Sequence, residues 1–197
     1  MEKEFEQLIT SFINDKIGIA NHFITDDLAQ KIKQQILMLV SQNLLVPAGT
    51  GNNKEVLHDT KTRGDSIYWL DRKHDNEFEN EFLNQIDDFV KHLNRSCFAG
   101  ITSYEFHYSL YQAGSFYSKH YDQFKNNNGR MYSMISYLND DWKMADGGEL
   151  MVYQNYNNQK ITPTQGKTVL FKSDELQHEV LVTQKQRLSI TGWLKRD

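Results

Sequence analysis

Near the middle of the chain, in the run Ser-Lys-His-Tyr-Asp-Gln (118–123), His120 and Asp122 stand two residues apart. In extended chain, residues i and i+2 point to the same side. An imidazole nitrogen and a carboxylate can therefore aim at one point, and a divalent cation is the natural occupant of that point. One such pair is weak on its own. The chain has 7 His and 15 Asp in 197 residues, and chance alone then gives roughly 0.5 His-x-Asp pairs. Position adds weight, because His178 follows 58 residues later at the start of the apolar run His-Glu-Val-Leu-Val. The strands between can fold back and bring the two ends together. Two histidines and one carboxylate form the facial set that leaves open positions on ferrous iron. Zinc accepts the same donors, and two ordinary surface histidines are the plain alternative. The adjacent pairs His58-Asp59 and His74-Asp75 cannot converge in this way and read as solvated loop residues.

Arg187 tips the balance. If Thr183–Gln186 form a four-residue hairpin loop, 182 pairs with 187 and 178 with 191. Parity then puts His178, Arg187 and Trp193 on one face of that hairpin. An arginine more often pairs with a local carboxylate. Facing the same space as a metal ligand, it instead suggests an acidic cosubstrate, because a guanidinium offers a two-pronged fork to a carboxylate.

The elements that must position these groups are legible from periodicity. Phe5, Leu8, Ile9, Phe12 and Ile13 follow helical spacing, and a short strand is expected at Gly18–Phe23. Thr25 is the expected cap of a second helix, with Asp26 and Asp27 in its first turn and Leu28, Ile32, Ile36 and Leu39 on its buried stripe. Asn76 with Glu79 has the form of a capping box opening a third helix, whose stripe is Phe78, Phe82, Ile86, Phe89 and Leu93. Between them, residues 46–63 read as one long loop, a kind that is usually functional or mobile. After Gly100 the period falls to two. Tyr104, Phe106, Tyr108 and Leu110 alternate with Ser103, Glu105, His107 and Ser109, the pattern of a half-buried strand. Five more short strands are expected, at 130–138, 148–153, 167–171, 178–182 and 187–194. Helices followed by antiparallel strands imply an α+β domain built on a sandwich or barrel.

Composition excludes several classes. The formal charge is −4, and the cations are scattered and outnumbered, so no nucleic-acid partner is expected. No apolar run reaches membrane-spanning length, no membrane partner is expected, and the acidic amphipathic start is unlike a signal peptide. A single cysteine, Cys97, cannot form an internal disulfide and reads as structural filler in a cytoplasmic protein.

From Gly18 onward the chain resembles the Fe(II)- and 2-oxoglutarate-dependent dioxygenases of the prolyl 4-hydroxylase type, including the oxygen-sensing prolyl hydroxylases and their bacterial relatives. The resembling segments are RGDSIYWL (63–70), YQAGSFYSKHYD (111–122), SYLNDDW (136–142), GGELMVY (147–153), LFKSDELQHEV (170–180) and RLSITGW (187–193). Their order matches, as does the nine-residue step from His178 to Arg187. The resemblance implies a double-stranded β-helix (jelly-roll) core with supporting N-terminal helices. It divides one domain into a helical and loop part (1–98) and a dioxygenase core (99–197). By the same resemblance His120, Asp122 and His178 are the iron ligands, and Arg187 with Tyr137 binds the distal carboxylate of 2-oxoglutarate. Tyr111 is similar to a tyrosine reaching the cosubstrate or substrate, and Trp193 to one lining the site. Without it, all three aromatics pass as core residues.

The activity so implied is hydroxylation of a prolyl residue in a protein or peptide, with 2-oxoglutarate and dioxygen consumed, succinate and carbon dioxide released, and ascorbate as an accessory reductant. The loop at 47–62 departs from the family and corresponds to the one that closes over the protein substrate. Other readings stand beside this one: a hydroxylase of a free amino acid or other small molecule, a nucleic-acid demethylase of the same chemistry, which the charge disfavours, and a non-catalytic metal-binding barrel module.

Overall fold

A computed structural model describes residues 1–49, 62–123, 129–154 and 157–196. Among these residues three α-helices pack on one side of a β-structure: α1 (Glu2–Asp15), α2 (Asp26–Ser41) and α3 (Glu77–Cys97). Their caps follow from chemistry. Thr25 Oγ1 accepts from the Leu28 N–H, and Asn76 Oδ1 accepts from the N–H groups of Phe78 and Glu79. The box at Asn76 is only half made, because the Glu79 carboxylate turns to His74 Nδ1 at 2.9 Å instead of back to the cap. His74 is exposed, as expected of a solvated residue, and is in addition held in ion-pair geometry with Glu79. Cys97 is exposed at the end of α3, so it fills no core.

The strands are β1 (Ile17–Ala20), β2 (Val46–Pro47), β3 (Asp65–Trp69), β4 (Ser103–Tyr111), β5 (Tyr117–His120), β6 (Arg130–Tyr137), β7 (Leu150–Tyr153), β8 (Gln159–Ile161), β9 (Thr168–Lys172), β10 (Gln177–Val180) and β11 (Arg187–Lys195). They form two antiparallel sheets, one in the order β1-β9-β6-β11-β4-β3-β2 and one in the order β5-β10-β7-β8. Two facing sheets of this kind make the double-stranded β-helix. Strands β2 and β3 lie in the stretch on either side of the long loop. Val46–Pro47 pairs with Ser66–Ile67, so the chain is already in a sheet there, while 50–61, with His58 and Asp59, falls outside the described residues.

The large sheet is covered on both faces. Phe106, Tyr108, Leu110, Met134, Leu170, Leu188 and Ile190 bury against Phe5, Leu28, Ile32, Phe82 and Phe89 from the helices. On the other face Ile135, Tyr137, Val169 and Phe171 meet Leu150, Val152 and Ile161 of the small sheet. This corrects the half-buried reading of β4. His107 and Ser109 are 1% and 2% exposed, because their side faces the second sheet and not water. Polar residues inside a sandwich need a reason, and the site supplies one.

Candidate active site between the two sheets

His178 lies in β10 directly across from His120 at the end of β5, and Asp122 follows two residues later. Their donor atoms all lie within 4.8 Å of one another. Asp122 Oδ1 is 3.3 Å from His120 Nε2, and Oδ2 is 3.6 Å from His178 Nε2. Each histidine places Nδ1 on a backbone carbonyl two residues back, His120 on Ser118 O at 2.7 Å and His178 on Leu176 O at 3.1 Å. With Nδ1–H donating there, Nε2 presents its lone pair to the shared point, the tautomer a metal requires.

Electrostatics point the same way. Burial pushes the Asp122 carboxyl up, but His178 and His120 outweigh it and hold the group well below the usual carboxylate range. Burial lowers His178, and the Asp122 charge overcomes it, so this imidazole is raised; His120 is lowered, by burial first and by the neighbouring His178. The donor set fits a divalent metal with open coordination positions.

Arg187 opens β11 and is 1% exposed. Its Nε donates to Gly148 O at 2.8 Å, and its guanidinium carbon is 5.1 Å from the ring centres of both Tyr111 and Tyr137. One terminal nitrogen, Nη2, and the Tyr137 hydroxyl are both buried and make no well-formed hydrogen bond, the hydroxyl lying within the influence of Arg187 alone. Burial pushes the Tyr137 hydroxyl up to about 12 against the pull of Arg187, so it stays a donor. Buried donors without partners are costly and uncommon. Two beside a metal-type triad form a slot for an anion such as a carboxylate. The pair Gly147-Gly148, both at positive φ, makes room for Arg187, since a Cβ on Gly148 would come within 3.1 Å of Arg187 Cδ.

The expected hairpin is absent. β10 belongs to the small sheet and pairs with β5 and β7, whereas β11 lies in the large sheet between β4 and β6. His178 and Arg187 line the same pocket between the sheets, with Arg187 opposite Tyr111. Only the parity of Arg187 and Trp193 within β11 carries over from the hairpin argument. Trp193, Tyr111, His120, Asp122, His178 and Arg187 all line one pocket. Trp193 also carries a buried indole N–H with no partner, and Arg130 stacks over its ring at 3.3 Å.

Sequence reasoning assigned no role to Arg63, Asp65 or Tyr117. Asp65, 3% exposed, receives Arg63 through both carboxylate oxygens at 2.6 and 3.0 Å, and Arg63 lies over the Tyr117 ring. The signal was available: Arg63-x-Asp65 has the same i, i+2 spacing as the metal pair.

A non-haem iron oxygenase is the class of protein that this fold and donor set define. Residues 106–195 match the family model of the 2OG-Fe(II) oxygenase superfamily. A prolyl-4-hydroxylase from Pseudomonas putida superposes with a TM-score of 0.88 at 30% identity, covering 98% of this chain and 99% of that one. The chain belongs to this superfamily, whose members use Fe(II), 2-oxoglutarate and dioxygen. A Trichoplax adhaerens prolyl hydroxylase, in complex with a hypoxia-inducible factor oxygen degradation domain peptide, superposes with a TM-score of 0.86 at 25% identity, covering 98% and 90%. The hypoxia-inducible factor prolyl hydroxylase of Caenorhabditis elegans is 28% identical over 95% of this chain, which spans only 28% of that protein's length.

Proposed function

We propose that this chain hydroxylates a prolyl residue of a protein or peptide substrate, with 2-oxoglutarate as cosubstrate. The observation that carries the reading is a buried, half-partnered guanidinium, Arg187, beside a His-Asp-His triad in one pocket. Ferrous iron with 2-oxoglutarate, when bound, supplies the oxidising chemistry that puts one oxygen atom into a C–H bond as succinate and carbon dioxide leave. The chain's own share is positioning. His120, Asp122 and His178 would hold the metal through Nε2 and carboxylate oxygens, which converge on one point. Arg187 Nη2 and the Tyr137 hydroxyl would hold the far carboxylate of the cosubstrate, with Tyr111 walling the slot.

Outside the triad a second depression shares Arg63, Tyr117, His120, Asp122 and Trp193 with the inner pocket. An opening on the surface beside the triad supports an extended peptide as substrate, and so does the peptide held by the Trichoplax relative. Among the described residues no helix is long and apolar enough to cross a membrane. The reading carries a cytoplasmic location and, in assays, ascorbate to keep iron ferrous.

The test incubates the protein with Fe(II), 2-oxoglutarate, ascorbate and a panel of prolyl peptides. The expected result is a peptide heavier by one oxygen atom with matching succinate, lost in Arg187→Met and His178→Ala. Succinate formed only with a free amino acid overturns the substrate class. Absence of a 2-oxoglutarate-dependent charge-transfer band with Fe(II) leaves a metal-binding module.

A further inference from the structure

We propose that Tyr117, braced by the Arg63–Asp65 ion pair, is a positioning residue for His120 that sets how tightly and for how long the site holds its divalent metal. The inference rests on the metal-site reading above. The two histidines are not equally supported by the scaffold. His178 sits in β10 with a strand on either side, is 3% exposed, and meets the Phe171 ring at 4.7 Å. His120 ends a four-residue strand at the edge of the small sheet, where the register to β10 shifts between His178 and Val180. Its side chain is 16% exposed. A ligand in that position must be ordered by something other than the backbone ladder of its own sheet, or the metal has to order it.

The support comes from Tyr117 at the start of the same strand, braced in turn by residues leading into β3 of the neighbouring sheet. The Tyr117 ring lies face to face with the His120 imidazole, centroids 3.6 Å apart and planes 17° from parallel. The Arg63 guanidinium lies over the same tyrosine ring at 4.6 Å and is itself fixed by the two-pronged bond to buried Asp65. The backbone repeats the arrangement: Arg63 bridges Tyr117, the Ser118 N–H donates to Thr62 O at 2.8 Å, and the Gly64 N–H donates to Phe116 O at 3.0 Å. Residues 62–64 thus line the edge of β5 that β10 leaves open and run directly into β3 of the large sheet.

The two restraints on the imidazole are complementary. The bond from Nδ1 to Ser118 O fixes the ring's rotation in its own plane, and the stack resists tilting out of it. Together they leave one orientation, with Nε2 toward Asp122. The stack on His120 uses the face of Tyr117, and the hydroxyl adds only a weaker interaction with Arg63, so phenylalanine should keep most of the support.

The metal-free full chain is titrated with Co(II), affinity read from the visible absorption of the bound ion and release rate from chelator competition. Tyr117→Phe is expected within about threefold of the wild type. Tyr117→Leu should lose about tenfold or more in affinity and release metal faster, the scale seen when outer partners of a ligand are removed. Arg63→Lys keeps a cation for Asp65 but removes the planar face, and should fall between. Wild-type affinity and release in Tyr117→Leu overturn the proposal, as does an equal loss in Tyr117→Phe. Near-UV circular dichroism of the metal-free variants tests folding. If Tyr117→Leu does not fold, Arg63→Lys decides, and wild-type metal binding there overturns the proposal. His178→Ala separates the two levels. If the wild type binds no Co(II), or His178→Ala binds it as well as the wild type, the metal-site reading itself fails. Loss in His178→Ala with no change in Tyr117→Leu removes the positioning role alone.

Discussion

At the scale of single residues, Arg187 makes the strongest demand on the structure. Among the described residues no carboxylate lies within ion-pairing range of it, and its compensation is one carbonyl, Gly148 O, and the two tyrosine faces. A buried cation so sparsely partnered costs several kcal/mol, a cost that makes sense when an anionic cosubstrate completes the site. Substitution should therefore split stability from binding. Arg187→Met is expected to leave the ligand-free protein as stable as the wild type or up to about 3 kcal/mol more stable. The same change should raise KM for 2-oxoglutarate about 100-fold or more, through loss of the charge-assisted fork. Melting curves of both proteins with Mn(II), with and without 2-oxoglutarate, read the two effects together. A variant that melts lower yet still gains from 2-oxoglutarate would show Arg187 to be a structural residue. At this scale the pairing of His120 with Asp122 was legible in its spacing, while His178 joined them through its position and the family resemblance. The orphaned hydroxyl of Tyr137 was not, since a buried tyrosine with and without a partner looks the same in sequence.

At the scale of elements, the alternation of β4 was readable but its meaning was not. Period two tells which residues share a face, and a second sheet whose strands are scattered from Tyr117 to Val180 decides whether the polar face meets water. The same limit produced the hairpin error. Short spacing between two strands favours a hairpin as the default, yet the chain crosses from one sheet to the other between Val180 and Arg187, a choice set by long-range pairing with β7 and β6. Edge pieces such as β2, at two residues, and β8, at three, are too short to carry a period at all. What holds β11 in place is close backbone approach. A Cβ on Gly192 would collide with Glu105 O and the Phe106 ring, one a fixed carbonyl and the other part of the helix-side core. Gly192→Ala should destabilise by about 3 kcal/mol, the upper end for overpacking, and lower the melting temperature by roughly 5–10 °C for a chain of this size. Because β11 also carries Arg187 and Trp193, 2-oxoglutarate affinity should fall with it. Unchanged melting would mean that β4 and β11 can part locally without loss.

At the scale of the whole molecule, the space between the sheets must stay dry for a polar site to work, and His107 reports on it. It is 1% exposed, at 5.0 Å from the ring of Trp69 and 5.7 Å from that of Trp193. Burial, and then the charge of Arg63, lower this imidazole from 6.5 to about 4. The unfolded chain takes up a proton near 6.5 and the folded one does not until about 4. Between those values the unfolded state binds more protons, so stability is fully present above 6.5 and drains away as pH falls. The full difference amounts to about 3 kcal/mol. Glu79 acts in the opposite sense. Burial raises its carboxyl despite His74, so its contribution is present at low pH and lost as pH rises. The wild-type curve therefore mixes the two, and the difference from His107→Met isolates the imidazole, because methionine fills similar space and does not titrate. In the metal-free proteins, the variant should gain on the wild type by roughly 5–10 °C of melting temperature between pH 7 and pH 4.5. A constant difference across that range would mean that protons reach His107 freely. The space between the sheets would then be wet, and the unpartnered donors of Arg187 and Tyr137 would be satisfied by water and not kept for a cosubstrate.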